Sequence, residues 1–242
     1  MATIKNTLNC IGVSTSGSVS VLRDLFGFFQ GRVPPDETGA AASVSVKQLL
    51  SDLKGKHLHL NIIRTGVDIF SDPQDFDRID WSILRIREIY RAQDLTVGRV
   101  QHWDVTTADS DGLHNIASAD EATELTNNWS VDNDGQDVFL VVTTPDGDGG
   151  FVGISNINGP CDKDLDKERT GSIVGLDRST ADKVARTFAH EIGHYLGLSH
   201  KNNSPDNLMC QTSKANSDRN SVDLTNSQGT DIRNHCSVTD GC

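Results

Sequence analysis

The sequence predicts an α/β fold, a sheet backed by helices, from three observations. Short apolar or alternating runs of strand length recur along the chain, long stretches carry apolar residues at helical spacing, and the two kinds follow one another in order. His57 to Thr65 (HLHLNIIRT) alternates and then runs apolar, as a strand against a core does. Ser71-Asp72-Pro73 is a helix-start signal, and Phe76, Ile79, Ile83, Ile86 and Tyr90 follow at helical spacing. Leu95 to Val105 reads as a second strand and Val138 to Thr143 as a short central one. Phe151 to Ile157 and Ser172 to Leu176 read as two more. Ser179 or Thr180 can cap a helix running to Leu196, with Val184, Phe188, Ile192 and Leu196 on its apolar side. Thr225-Asn226-Ser227-Gln228 has capping-box spacing and opens a last helix toward Ile232 and Cys236.

Residues 1–54 differ from the rest. They hold Ser- and Gly-rich stretches, a Val33-Pro34-Pro35-Asp36 break and two short apolar clusters, Val21 to Phe29 and Val44 to Leu53. This segment is read as an N-terminal extension of unknown role: a pro-segment remnant, a flap, or a simple appendage. Residues 55–242 are expected to form the main folded domain.

Composition excludes some classes of function. The 242 residues carry a formal net charge of −12, which argues against nucleic acid, whose phosphates call for clustered Lys and Arg. No apolar run approaches the roughly 18 residues of a membrane span. The N-terminus lacks the continuous apolar core of a signal peptide. Five cysteines (Cys10, Cys161, Cys210, Cys236, Cys242) match no zinc-knuckle spacing, and their odd number leaves at least one thiol unpaired within the chain. Cys161 with Cys210, or Cys236 with Cys242, are candidate disulfides. Acid-rich turns at Asp132-Asn133-Asp134-Gly135, Asp146-Gly147-Asp148 and Asp162-Lys163-Asp164-Leu165-Asp166 are ordinary solvated turns or else calcium (Ca2+) sites; none completes the twelve-residue calcium loop.

The chemistry concentrates in His190-Glu191-Ile192-Gly193-His194-Tyr195-Leu196-Gly197-Leu198-Ser199-His200. On a helix, His190 and His194 project from one face a turn apart and can share one zinc (Zn2+). Glu191 flanks that metal without being a ligand and can act on a water beside it. Gly197 ends the helix at no steric cost, so that His200 approaches from a loop. Three neutral histidines with one open position make a catalytic zinc site.

This stretch resembles the long zinc signature of the metzincin metallopeptidases at every fixed position. Pro205-Asp206-Asn207-Leu208-Met209 resembles their Met-turn, with Met209 nine residues after His200. That short gap is most like the matrixin subgroup. The matrixin pattern for a structural zinc is not evident among His57, His59, His102 and His114, and Cys210 and Gln211 stand where some metzincins carry a Tyr, so no subfamily is assigned. The resemblance implies that residues 55–242 are a catalytic domain with a zincin-like α+β arrangement, a twisted mixed sheet backed by helices, over Lys56 to Cys236. It implies a zinc endopeptidase in which Glu191 activates the attacking water. It also implies an edge strand around Gly150 to Ile157 that binds substrate through Gly153, Ile154 and Ser155, and a pocket wall from Gln211 to Asp223. Cys10 is a candidate inhibitory thiolate on that zinc. Protein or peptide substrates, a monomer and secretion are the matching expectations. The alternatives are a narrow processing protease or toxin, and a non-catalytic acidic calcium-dependent binding module.

Overall fold

Nine residues from His57 to Thr65 form strand β1, buried along almost its whole length on both faces. Such a strand belongs inside a sheet covered on both sides by helices. In this computed structural model, residues 52–70, 73–145, 150–163, 168–176 and 180–241 are described. After β1 come helix α1 (Pro73–Arg91), β2 (Thr96–Val105), α2 (Ala119–Trp129), β3 (Gln136–Val141), β4 (Gly153–Ile154), β5 (Gly171–Gly175), α3 (Ala181–Tyr195), α4 (Asn226–Arg233) and β6 (Val238–Thr239).

The sheet order is β2-β1-β3-β5-β4, with β6 paired to β1. β1 runs parallel to β2 and β3, and β3 runs parallel to β5. β4 is antiparallel to β5 and lies at the edge. The fold is therefore α/β with a mixed sheet, as the sequence predicts.

Strand alternation divides the interior in two. Leu58, Leu60 and Ile62 of β1, Val138 and Leu140 of β3 and Val174 of β5 face one core, shared with Ile79, Ile83, Ile86 and Tyr90 of α1 and Val184, Phe188 and Ile192 of α3. Ile63, Phe139, Val141 and Ile173 face the other, which Ala122 and Leu125 of α2 cover. The period-2 residues of three strands thus place α3, the bearer of the histidines, against the sheet.

Four local readings change. Phe76 is exposed, with the Arg64 guanidinium 5.3 Å above its ring; it precedes the part of α1 that meets the core. The strand expected over Phe151 to Ile157 shortens to Gly153–Ile154, because an edge strand has one partner and β5 supplies pairing for only two residues. Helix α2 was not anticipated: its buried stripe is just Ala122, Leu125 and Thr126, although Ser118 caps it by accepting from the Glu121 amide. Among the described residues a disulfide joins Cys161 to Cys236, with Cα atoms 6.0 Å apart, rather than Cys161 to Cys210 or Cys236 to Cys242. Cys210 is a buried free thiol, drawn into the core beside Met209. Cys10, Cys242 and the bulk of the 1–54 segment lie outside the described residues.

Candidate active site and metal centre

Helix α3 begins where the Thr180 side chain accepts from the Lys183 amide; the alternative cap, Ser179, lies outside the described residues. Its apolar side is buried throughout. It ends at Gly197, whose φ of 99° is the left-handed region glycine favours. The Gly197 amide donates to His194 O and the Leu198 amide to Gly193 O, both at 2.9 Å. These paired bonds are the Schellman arrangement, which turns the chain off the helix axis. His200 is thereby carried back over the helix face.

The three imidazoles converge. Their ring centroids are 4.6 Å apart for His190 and His194, 5.3 Å for His190 and His200, and 4.6 Å for His194 and His200. Each offers a nitrogen, and the three lie within 4.8 Å of one another. Two rings are held from behind. Nδ1 of His190 lies 2.7 Å from Leu208 O, and Nδ1 of His194 lies 2.7 Å from Leu198 O. A carbonyl can only accept, so each Nδ1 carries its proton and each Nε2 is left as a lone-pair donor. Burial, helped by neighbouring His194, lowers the His190 pKa to about 3, and burial lowers His194 to about 4. Burial and then Lys214 lower that of exposed His200. The rings are therefore neutral at neutral pH, which is the form that binds metal. Donor type, tautomer and convergence all fit zinc.

Glu191 is buried between this centre and the sheet edge. Burial raises its carboxyl to about 8, opposed by Arg169. Its Oε2 and the Thr187 hydroxyl one turn earlier are buried without a hydrogen-bond partner within the protein. Gly153 of β4 lies directly over both: a β-carbon there would fall 2.7 Å from Glu191 Cγ and 2.8 Å from Thr187 Cγ2. Only a residue without a side chain lets the edge strand come this close. Ile154 pairs with Ile173. Ser155 follows the strand, with its hydroxyl 3.1 Å from that of Ser172.

Met209 is fully buried beneath α3, and a β-carbon on Gly193 would fall 2.7 Å from its sulfur. Its amide donates to Asn207 Oδ1 at 2.9 Å, and Asn207 and Gln228 exchange amide hydrogen bonds. The Thr225 capping box orients Gln228, so α4 is coupled to the turn that carries Met209. The stretch from Gln211 to Asp223 leaves this turn and returns to pair Asp223 with Asn207.

Sequence reasoning missed the groups behind the histidines. Leu198 and Leu208 act through their carbonyls, which leave no signature in side-chain identity. Arg186, nearly fully buried on α3, has one: a charged residue among apolar ones, four before His190.

Among the described residues a second potential ligand group is Cys161, His235 and Cys236. Its cysteines are joined as a disulfide, and the His235 nitrogens meet Gly159 O and the Ser237 amide. His57, His59, His102 and His114 join no such group there. In the Asp132–Gly135 turn, Asp134 pairs with Arg99. The neighbouring Asp137 carboxylate, together with Val131 O and Gly135 O, receives the Lys163 ammonium. Protein cations thus serve these oxygens. Residues 146–149 and 164–167 of the other acidic turns lie outside the described residues.

Residues 76–201, just over half the chain, match the family described as Metallo-peptidase family M12B Reprolysin-like. The match includes His190 to His200 and stops before Met209. It does not bear on the matrixin-like gap between them. Among solved structures, archaemetzincin from Methanopyrus kandleri superimposes with a TM-score of 0.50 at 15% identity, covering 74% of this chain and 95% of that one. Metalloproteinase-II from Bacteroides fragilis gives 0.49 at 18% identity, covering 75% and 53%. No curated protein matches the chain in sequence.

Proposed function

The chain belongs to the reprolysin-like metallopeptidases of family M12B, and from that premise we propose that it is a secreted, monomeric zinc endopeptidase of metzincin type. The observation that carries this reading is the convergence of His190, His194 and His200 beside a buried Glu191 whose Oε2 has no partner within the protein. A module that only bound metal would need no such carboxyl.

His190, His194 and His200 would hold the zinc through their free ring nitrogens. When bound, zinc supplies Lewis acidity, making water a stronger acid and a peptide carbonyl a better electrophile. Glu191 takes the proton of the attacking water and returns it to the leaving amine. In the metal-free protein burial keeps this carboxyl protonated, whereas a cation alongside favours the carboxylate that a general base requires. Substrate lies antiparallel along β4, bonding to the backbone around Gly153, Ile154 and Ser155 at the open edge of the sheet. Gly153 brings that substrate strand within reach of Glu191. The Gln211 to Asp223 stretch forms a wall of the pocket past the scissile bond.

The test combines elemental analysis with digestion of a denatured generic protein before and after chelation. One zinc per chain and chelator-sensitive cleavage are expected. Glu191→Ala is expected to keep its zinc and lose roughly 10²–10⁴-fold in activity. An equally active Glu191→Ala enzyme would overturn the mechanism. Zinc without cleavage would replace the general endopeptidase with the narrow processing enzyme or toxin.

A further inference from the structure

Arg186 stands one helical turn before His190, on the same side of α3. It is 2% exposed. Its Nε donates to Ser221 O at 2.8 Å, and Nη1 lies 3.4 Å from Thr212 Oγ1. Its Nη2 lies 3.1 Å from Leu208 O and 3.4 Å from Asn207 O, and also reaches Cys210 O. One planar fork of donors therefore gathers backbone oxygens from both ends of the segment that leaves and returns beneath the metal helix. A guanidinium suits this convergence because its five donors are fixed in one plane.

Leu208 O is the shared point. It accepts from Arg186 Nη2 and also from His190 Nδ1, at 2.7 Å. The equivalent carbonyl behind His194, that of Leu198, is placed by the helix-ending turn and needs no side chain. Leu208 lies in a separate segment that some other group has to hold against α3. Burying a guanidinium is unfavourable, and an apolar side chain of similar volume would fill the space at less cost. What an apolar residue could not do is fix the Leu208 carbonyl.

We infer that Arg186 is a positioning residue for the metal centre: by holding the Leu208 carbonyl and the Met209 turn against α3, it sets the tautomer and ring angle of His190. The identity of the metal rests on the peptidase reading above; the clamp itself belongs to the metal-free fold.

The test uses the full chain with Arg186→Met, which keeps length and apolar volume, and Arg186→Lys, which keeps charge but not the fork. Three quantities are read: zinc retention against a competing chelator, the visible spectrum of cobalt(II) in place of zinc, and the alkylation rate of Cys210 in metal-free protein by peptide mass mapping. Arg186→Met is expected to bind zinc about 10–100-fold more weakly, to shift the cobalt bands and to alkylate faster at Cys210. Arg186→Lys is expected to fall between it and the parent. A folded Arg186→Met with the parental zinc affinity and cobalt spectrum would overturn the inference. Should Arg186→Met not fold, a folded Arg186→Lys indistinguishable from the parent in all three would do the same. If the parent itself takes up no zinc, the peptidase reading fails, while faster Cys210 alkylation in Arg186→Met still supports the clamp and unchanged alkylation removes it.

Discussion

Helix α3 shows two unlike flanks around the candidate metal centre. On the flank of His190 and His194, each ring is backed by a carbonyl, Met209 fills the space under Gly193, and Asn207 and Gln228 satisfy one another. On the flank of Glu191, a carboxyl oxygen and the Thr187 hydroxyl are buried with no partner, beneath a glycine that offers no side chain. Buried polar atoms left unpaired cost about 1–3 kcal/mol each. The first flank is finished before any ligand arrives. The second holds hydrogen-bonding capacity in reserve for water and substrate, at a cost in stability.

The largest test of this contrast replaces Glu191 by Gln in metal-free protein. The folded carboxyl is raised from 4.5 to about 8, so the folded state binds this proton more tightly than the unfolded chain. The stability it confers is complete below pH 4.5 and is lost as the pH rises to about 8, amounting to about 5 kcal/mol. Glu191→Gln stays neutral and should not share that loss, so urea denaturation of chelated parent and variant should diverge between these limits. Parallel pH profiles would mean that Glu191 is not held in reserve.

A smaller effect is expected at Gly153. The β-carbon of Gly153→Ala would press on Glu191 and Thr187. Displacing the carboxyl by about 1 Å should lower kcat/KM by about 100-fold while zinc content stays at one per chain. Loss of zinc from this variant would show that the two flanks are not separable.

Asn207→Ala acts on the finished flank. It leaves the Met209 amide and the Gln228 Nε2 without their acceptor, at about 2 kcal/mol of unfolding free energy. Stability should fall and zinc affinity should weaken, with the pH dependence of cleavage unchanged. A shifted pH profile with parental stability would reverse the assignment.

How much was legible follows the same division. Strands β1, β3 and β5 and helices α1 and α3 announce themselves because their side chains alternate or recur with the period of the structure. The three histidines and Gly197 are legible because a helical turn and its termination dictate their spacing. Met209 is legible only through the resemblance of Pro205 to Met209 to a Met-turn, and the fold seats it against Gly193. Helix α2 escaped because only Ala122, Leu125 and Thr126 of its residues turn inward. The Cys161–Cys236 pair escaped because joining distant segments is a property of topology and leaves no trace in spacing. The carbonyls of Leu198 and Leu208 escaped because every residue has one, and which of them face inward is decided by the fold.

That disulfide has a bearing on the lifetime of a protein proposed to cut polypeptides. Cys161 and Cys236 stand 75 residues apart, and His190, Glu191, His194, His200 and Met209 all fall between them. If the enzyme nicks itself once anywhere in that interval, the two pieces remain one covalent molecule that still carries every residue of the centre. Damage of this kind would pass unseen on an electrophoresis gel until a reductant separated the fragments.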